Sequence, residues 1–215
     1  MSNRPHSGLR RALVGLFILM WAMVAVTAFL FFQWRSERAT AALEAHADAL
    51  PVLMPAPDFT LTNRDGRTVE RSSLEGQPWV ADFIFTTCPG VCPVLTRRMK
   101  ELSDELPPDR VRLVSISVDP ARDTPEALEA YAQKNGAGDN WLFLTGDEAD
   151  IERVIKDGFK LVYDPTPQEI RAEAIVHSNR FVLVDADGQI RGYYDAFNDD
   201  DLATLRRDLA SLLAG

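Results

Sequence analysis

The chain has 215 residues, 46% of them hydrophobic, and a formal charge of −9, enough for one good-sized domain plus an appendage. Residues 1–32 hold three arginines and no acid, which leaves −12 on the remainder. A body that acidic repels phosphate backbones, which argues against a nucleic-acid partner. It can steer cationic partners, although most of these charges read as an ordinary solubilising surface.

The appendage comes first. Ala12 to Phe32 is an uncharged run of 21 residues, about 31 Å long as a helix, which matches a bilayer core. A secretory signal has a shorter apolar stretch, roughly 7–15 residues, so an uncleaved single-pass anchor is expected. No cysteine lies near the run, so no lipid-bearing cysteine is expected there. Arg4, Arg10 and Arg11 precede the run, while Arg35 and Arg38 after it are diluted by Glu37. Basic residues stay on the cytoplasmic side, so the body is expected outside the cytoplasm. The lack of a transit-like N-terminus favours a bacterial inner membrane, with the domain facing the periplasm. Trp34 sits where an interfacial aromatic belongs. The organisation expected is a cytoplasmic tail and anchor over 1–34, a linker over 35–52 and one folded domain over 53–215. The linker is polar and Ala-rich and reads as a tether or frayed helix; His46 within it reads as a solvated residue.

Asp58 to Thr62 alternates like a strand, Asp65-Gly66 is a hairpin turn, and Thr68-Val69 begins the return strand. Trp79 to Phe85 is an apolar strand that runs straight into Thr86-Thr87-Cys88-Pro89-Gly90-Val91-Cys92-Pro93, which contains both cysteines of the chain. Leu95, Met99, Leu102 and Leu106 then share one face of a helix, stopped by Pro107-Pro108. Val111 to Val118 reads as a buried strand. Thr124 is a natural N-cap with Pro125 in the first helical position, and Asn135-Gly136 is a left-handed stop. A short strand follows at Trp141–Leu144, then a helix over Asp147 to Asp157 ended by Gly158. Phe159–Tyr163 reads as another strand and Pro165 to Ala174 as an irregular charged loop. Ile175 to Val184 leads through His177 into a strand, Asp187-Gly188 turns it into Ile190–Tyr194, and an amphipathic helix from Asp199 closes the chain. The alternation gives an α/β sandwich. With reactive cysteines after an early strand, a thioredoxin-like architecture with an N-terminal β-hairpin fits best.

A strand that delivers cysteines to a helix N-terminus is a reactive arrangement, because unpaired N–H groups and the helix dipole stabilise thiolate. Thiol–disulfide motifs ordinarily separate their cysteines by two residues; here there are three. Residues four apart share a helical face, and a looser turn at Gly90 also converges the sulfurs. Either geometry permits a disulfide or a two-thiolate clamp on a metal. A structural disulfide or a pair of inert core thiols is the plain alternative, disfavoured by the proline-flanked position. The remaining histidines are His6, expected on the cytoplasmic side, and His177, which precedes a strand. In a thioredoxin-like fold the loop before that strand lies against the cysteine turn, so His177 can approach Cys88 and Cys92. Two thiolates and one imidazole suit Cu(I), Cu(II) or Zn(II). Structural zinc takes four protein ligands, so an open three-ligand site points to copper in transit.

Three segments, Phe85–Pro93, Ser117–Leu128 and His177–Asp195, resemble the SCO/SenC copper-chaperone family of cytochrome c oxidase assembly, over roughly residues 54–215. The resemblance implies one copper ion held by Cys88, Cys92 and His177, and its delivery to the CuA site of oxidase subunit II from an extracytoplasmic donor. It also implies an acidic pair near the site, Asp119 and Asp123, expected to act in helix capping and as nearby charge and not as hard ligands to a soft ion. Val176 departs from the aspartate common before that histidine. A second reading is a membrane-tethered thiol–disulfide reductase or redoxin-like enzyme, with Cys88 as nucleophile and Cys92 as resolving thiol; the segment APDFTL…DGR also resembles that wider group. The two are compatible, since a CuA site needs reduced cysteines before metal arrives. A purely adaptor role leaves the cysteine pair unexplained.

Overall fold

A computed structural model describes residues 6–161 and 179–214. The chain opens with α1 (His6–Ala49), about 66 Å of continuous helix. Its stretch Gly15–Arg38 is long and apolar enough to cross a membrane and is covered by nothing in the chain. The helix does not stop at the end of the apolar run. It continues through the polar residues 35–49 that read as a tether, where a high content of alanine favours helix over coil.

Eight strands form one mixed sheet: β1 (Met54–Pro55), β2 (Thr60–Asn63), β3 (Thr68–Glu70), β4 (Trp79–Ile84), β5 (Arg112–Ser117), β6 (Trp141–Thr145), β7 (Arg180–Val184) and β8 (Gln189–Asp195). Their spatial order is β1-β8-β7-β4-β5-β6-β2-β3. β4 and β6 flank β5 in parallel, and β7 joins the other side of β4 antiparallel. The hairpin β2–β3 sits beyond β6, at the edge opposite β1. Four further helices are described: α2 (Cys92–Glu105), α3 (Pro125–Lys134), the short α4 (Glu148–Glu152) and α5 (Asp199–Ala214). The domain is thioredoxin-like.

β4 is buried at every residue, as a central strand covered on both faces must be. Its odd-numbered side chains, Trp79 and Phe83, meet Phe159 edge-on with ring centroids 6.2 and 5.2 Å away, and Phe59 extends the cluster. Its opposite face carries Asp82, beside Ser115 of β5 in register, with Trp141 and Phe143 stacked further along the sheet. α2 and α3 meet over this layer through a 2.7 Å hydrogen bond between the Thr96 and Tyr131 hydroxyls, and Tyr131 packs on Phe143.

Two expectations change. The helix expected over Asp147 to Asp157 is α4 followed by a wider π-turn, Arg153–Gly158. Its end is pressed against Pro57: a Cβ on Gly158 would lie 2.3 Å from the proline ring. No strand forms at Phe159–Leu161. Phe159 caps the π-turn with its ring buried in the aromatic cluster, and Lys160 takes a left-handed conformation, φ 57°, incompatible with extension. Tyr163 and the expected loop Pro165–Ala174 lie outside the described residues.

Candidate metal centre

The parallel strands β4 and β5 end side by side, at Ile84 and Ser117, and antiparallel β7 starts at that same end of the sheet. Ligand sites of open α/β sheets form beyond the carboxyl ends of parallel strands, and both cysteines lie there. The Cys88 N–H donates to the Phe85 carbonyl at 3.2 Å and closes a turn over Thr86-Thr87. Cys92 is the first residue of α2, with Pro93 behind it, where proline's missing donor and fixed φ cost nothing.

The two sulfurs are unequal. Both are free thiols; Cys92 is fully buried and Cys88 is half-buried. A hydrogen bond from the Cys92 thiol, with the N–H groups of Cys92, Gly90 and Val91, holds the Cys88 thiol well below its usual pKa, against the opposing effect of partial burial. Cys92 shifts the other way: it keeps the proton it shares with Cys88, and burial disfavours its charge. The pair is therefore poised as a half-buried, thiolate-prone Cys88 beside a fully buried thiol, and thiolate is the form in which sulfur attacks disulfides and binds soft metals.

The turn after β5 supports the cysteine turn from the side. Asp123, fully buried, accepts from the Thr86 N–H at 3.1 Å, from the Thr86 hydroxyl at 2.6 Å and from the Ser117 hydroxyl at 2.6 Å. Burial raises its pKa while the bonds from Ser117 and Thr86 oppose the rise. Asp119 accepts from Arg122 at 2.9 Å. Among the described helices α3 is capped not by either acid, as expected, but by Thr124, which accepts from the Ala127 N–H at 3.3 Å.

His177 and Val176 lie outside the described residues; the described chain resumes at Asn179, whose carbonyl accepts from the Ala196 N–H at 2.9 Å. His46 falls on α1. Among the described residues no three metal-ligating side chains gather. One buried group escaped the sequence reading. Asp82 accepts from the Ser115 hydroxyl, which in turn accepts from Trp141 Nε1–H at 2.9 Å, and its second oxygen has no partner among the described residues. Burial lifts its pKa to about 7, against the Ser115 bond. A lone acid inside the apolar stretch Trp79–Phe85 was the available signal.

The model of the SCO1/SenC family matches residues 52–214. The chain is 34% identical over 165 residues to the SCO1 protein homolog of Bacillus subtilis, covering 75% of this chain and 84% of that protein. Among solved structures it resembles BsSco, described as a member of the Sco family of cytochrome c oxidase assembly proteins with a disulfide switch (34% identity, TM-score 0.64, 75% of this chain and 95% of that one). It also resembles copper-bound ScoI of Bradyrhizobium japonicum (26% identity, TM-score 0.56, 72% and 99%).

Proposed function

The chain belongs to the SCO1/SenC family, and from that premise we propose that it is a membrane-anchored copper chaperone. It receives one copper ion from an extracytoplasmic donor and delivers it to the CuA site of cytochrome c oxidase subunit II. In this reading Cys88, Cys92 and His177 hold the ion, α1 fixes the protein in a bacterial inner membrane with its N-terminus cytoplasmic, and the domain of residues 53–215 works in the periplasm. The observation that carries the proposal is the sulfur pair at the carboxyl end of β4, one depressed and half-exposed, the other buried beneath it. Two sulfurs select a soft ion. The relatives support copper, since a solved structure of one has it bound.

His177 is proposed from chain connectivity. One residue, Ser178, separates it from Asn179 at the cysteine end of β7, a span of at most about 7 Å. Together with an imidazole the thiolates form an open three-ligand site, from which an acceptor's own thiolates and imidazoles take the ion by exchange. Copper stoichiometry of the reduced, detergent-solubilised protein tests this: one ion per chain is expected, with thiolate-to-copper charge-transfer bands in the Cu(II) form. Loss of those bands in Cys88→Ser, Cys92→Ser and His177→Ala supports the ligand set; Cys88→Ser binding copper like wild type sinks it.

The inequality of the sulfurs also favours a thiol–disulfide role on the cysteines of the CuA site. Cys88 thiolate attacks the target disulfide and expels one target thiolate. Cys92, losing its proton to that leaving sulfur, then attacks the mixed disulfide, leaving a Cys88–Cys92 disulfide and a reduced target. Turnover on a model disulfide that survives His177→Ala would assign this chemistry to the dithiol alone.

A further inference from the structure

From Thr87 to Val91 the chain bridges a gap between two fixed points. At its far end Cys92 is locked in the first turn of α2, fully buried. At its near end stands Thr86, gripped by Asp123 through both its N–H and its hydroxyl. Between them the described backbone bonds are local: Cys88 N–H to the Phe85 carbonyl, and the first helical bonds to Val91. A Cβ on Gly90 would meet nothing within 4 Å. The cysteine turn is thus an arch that is open around Gly90, leans on the core through Cys88 and Val91, and has both feet held.

We infer that Asp123 is the positioning residue for this arch: by clasping Thr86 it fixes the foot from which the chain springs and so sets Cys88 over Cys92. The carboxylate is suited to no other task. A carboxylate offers about four lone-pair sites. Thr86 N–H reaches both oxygens, at 3.3 and 3.1 Å, the Thr86 hydroxyl takes Oδ1 and the Ser117 hydroxyl takes Oδ2, each at 2.6 Å. Asp123 cannot ligate a metal without letting Thr86 go, and α3 is already capped by Thr124. Its own turn is rigid: Asp123 N–H donates to the Asp119 carbonyl at 2.9 Å, and the Asp119 N–H donates to Ser117 Oγ at 3.1 Å. The clasp joins residues 37 apart in sequence and ties the loop after β5 to the loop after β4.

For the effect on cargo this inference rests on the copper-carrier reading, but its primary readouts do not. The variants are Asp123→Asn, which turns one acceptor oxygen into a donor facing Thr86 or Ser117, and Thr86→Val, which removes the hydroxyl and keeps the shape. The control is Asp185→Asn, at the opposite end of the sheet, where a buried carboxylate likewise holds a turn through the N–H groups of Asp187 and Gln189. Each is made in the full chain in detergent and reduced. Hydrogen exchange is followed over residues 85–92, and the rate of Cys88–Cys92 disulfide closure by diamide is measured. Asp123→Asn and Thr86→Val are expected to speed exchange across the arch by about tenfold or more, the scale of a lost charge-assisted bond. Both should alter closure by a similar factor, while Asp185→Asn lowers the melting temperature and leaves arch and closure unchanged. Equal effects of Asp123→Asn and Asp185→Asn on closure, or unchanged arch exchange in Asp123→Asn and Thr86→Val, would overturn the clasp. Failure of the wild-type protein to bind copper would instead overturn the carrier reading and leave the clasp standing.

Discussion

Asp82→Asn isolates the energetic cost of an acid in the middle of the sheet. In the folded protein the group ionises only near pH 7, against 3.8 for an ordinary aspartate, because it is buried with a single hydroxyl partner. A gap of about three pH units corresponds to about 4 kcal/mol at 1.36 kcal/mol per unit. The folded-state pKa is raised, so Asp82 contributes its full stability below pH 3.8. Between 3.8 and about 7 the unfolded chain releases a proton that the folded chain keeps, and stability falls; above 7 both states are ionised and the loss is complete. Asparagine retains an acceptor for Ser115 and stays neutral throughout. Its unpaired amide has a cost that does not vary with pH, so it cancels from the comparison. Urea unfolding of the reduced full chain in detergent, at intervals from pH 4 to pH 8, measures both proteins. Tryptophan fluorescence is a direct probe, because the Trp141 indole bonds to the same Ser115 hydroxyl. The variant should gain on wild type by about 4 kcal/mol over that range, nearly all of it below pH 7. Stability profiles that run parallel would refute a neutral, strained Asp82.

Three further outcomes are expected. Iodoacetamide should modify Cys88 before Cys92, with a half-maximal rate at a pH below the ordinary thiol value of about 8.5; mass spectrometry of quenched samples would show equal labelling if the sulfurs were equivalent. Gly158→Ala should destabilise the domain by about 1–3 kcal/mol through overpacking, because the new methyl would sit 2.3 Å from the Pro57 ring, and a thermal melt unchanged from wild type would show that the π-turn yields. Thr124→Ala removes the cap bond to the Ala127 N–H and should cost about 1 kcal/mol in urea unfolding, without altering the thiol labelling rates.

Local chemistry was legible in the sequence; long-range pairing was not. The cap at Thr124, the stop at Gly136 (φ 66°) and the hairpin turn at Gly66 (φ 79°) all stand where side-chain preference puts them. The cysteine turn was legible for the same reason, since an apolar run followed by Thr-Thr-Cys-Pro leaves few backbone options. Nothing local says that β2–β3 lies beyond β6 while β1 pairs with β8, because register and order come from which faces bury together. Local preference also misled at Phe159, where a β-like run turns inward to complete the Trp79–Phe83 cluster. It underrated residues 35–49, whose alanines carry α1 on past the apolar run.

The division of labour between the sulfurs follows from that long-range order. Because β4 and β5 are parallel and adjacent, the loops leaving them emerge together, and the second can brace the first. Among the described residues the Asp123 brace holds Thr86 and α2 holds Cys92, so the arch that bears Cys88 stands between two fixed feet. Under the proposed copper-carrier reading, holding an ion and then surrendering it calls for two unequal sulfurs. In that reading an acceptor would displace the Cys88 thiolate first, because it is half-buried and its pKa is held low, while the buried Cys92 sulfur would keep the ion until a new bond has formed. In the proposed disulfide exchange the same inequality would make Cys88 the attacking thiol and Cys92 the one that resolves it. The two proposed activities would then draw on one asymmetry, and loss of the Asp123 clasp, which frees the foot of the arch, is expected to alter both.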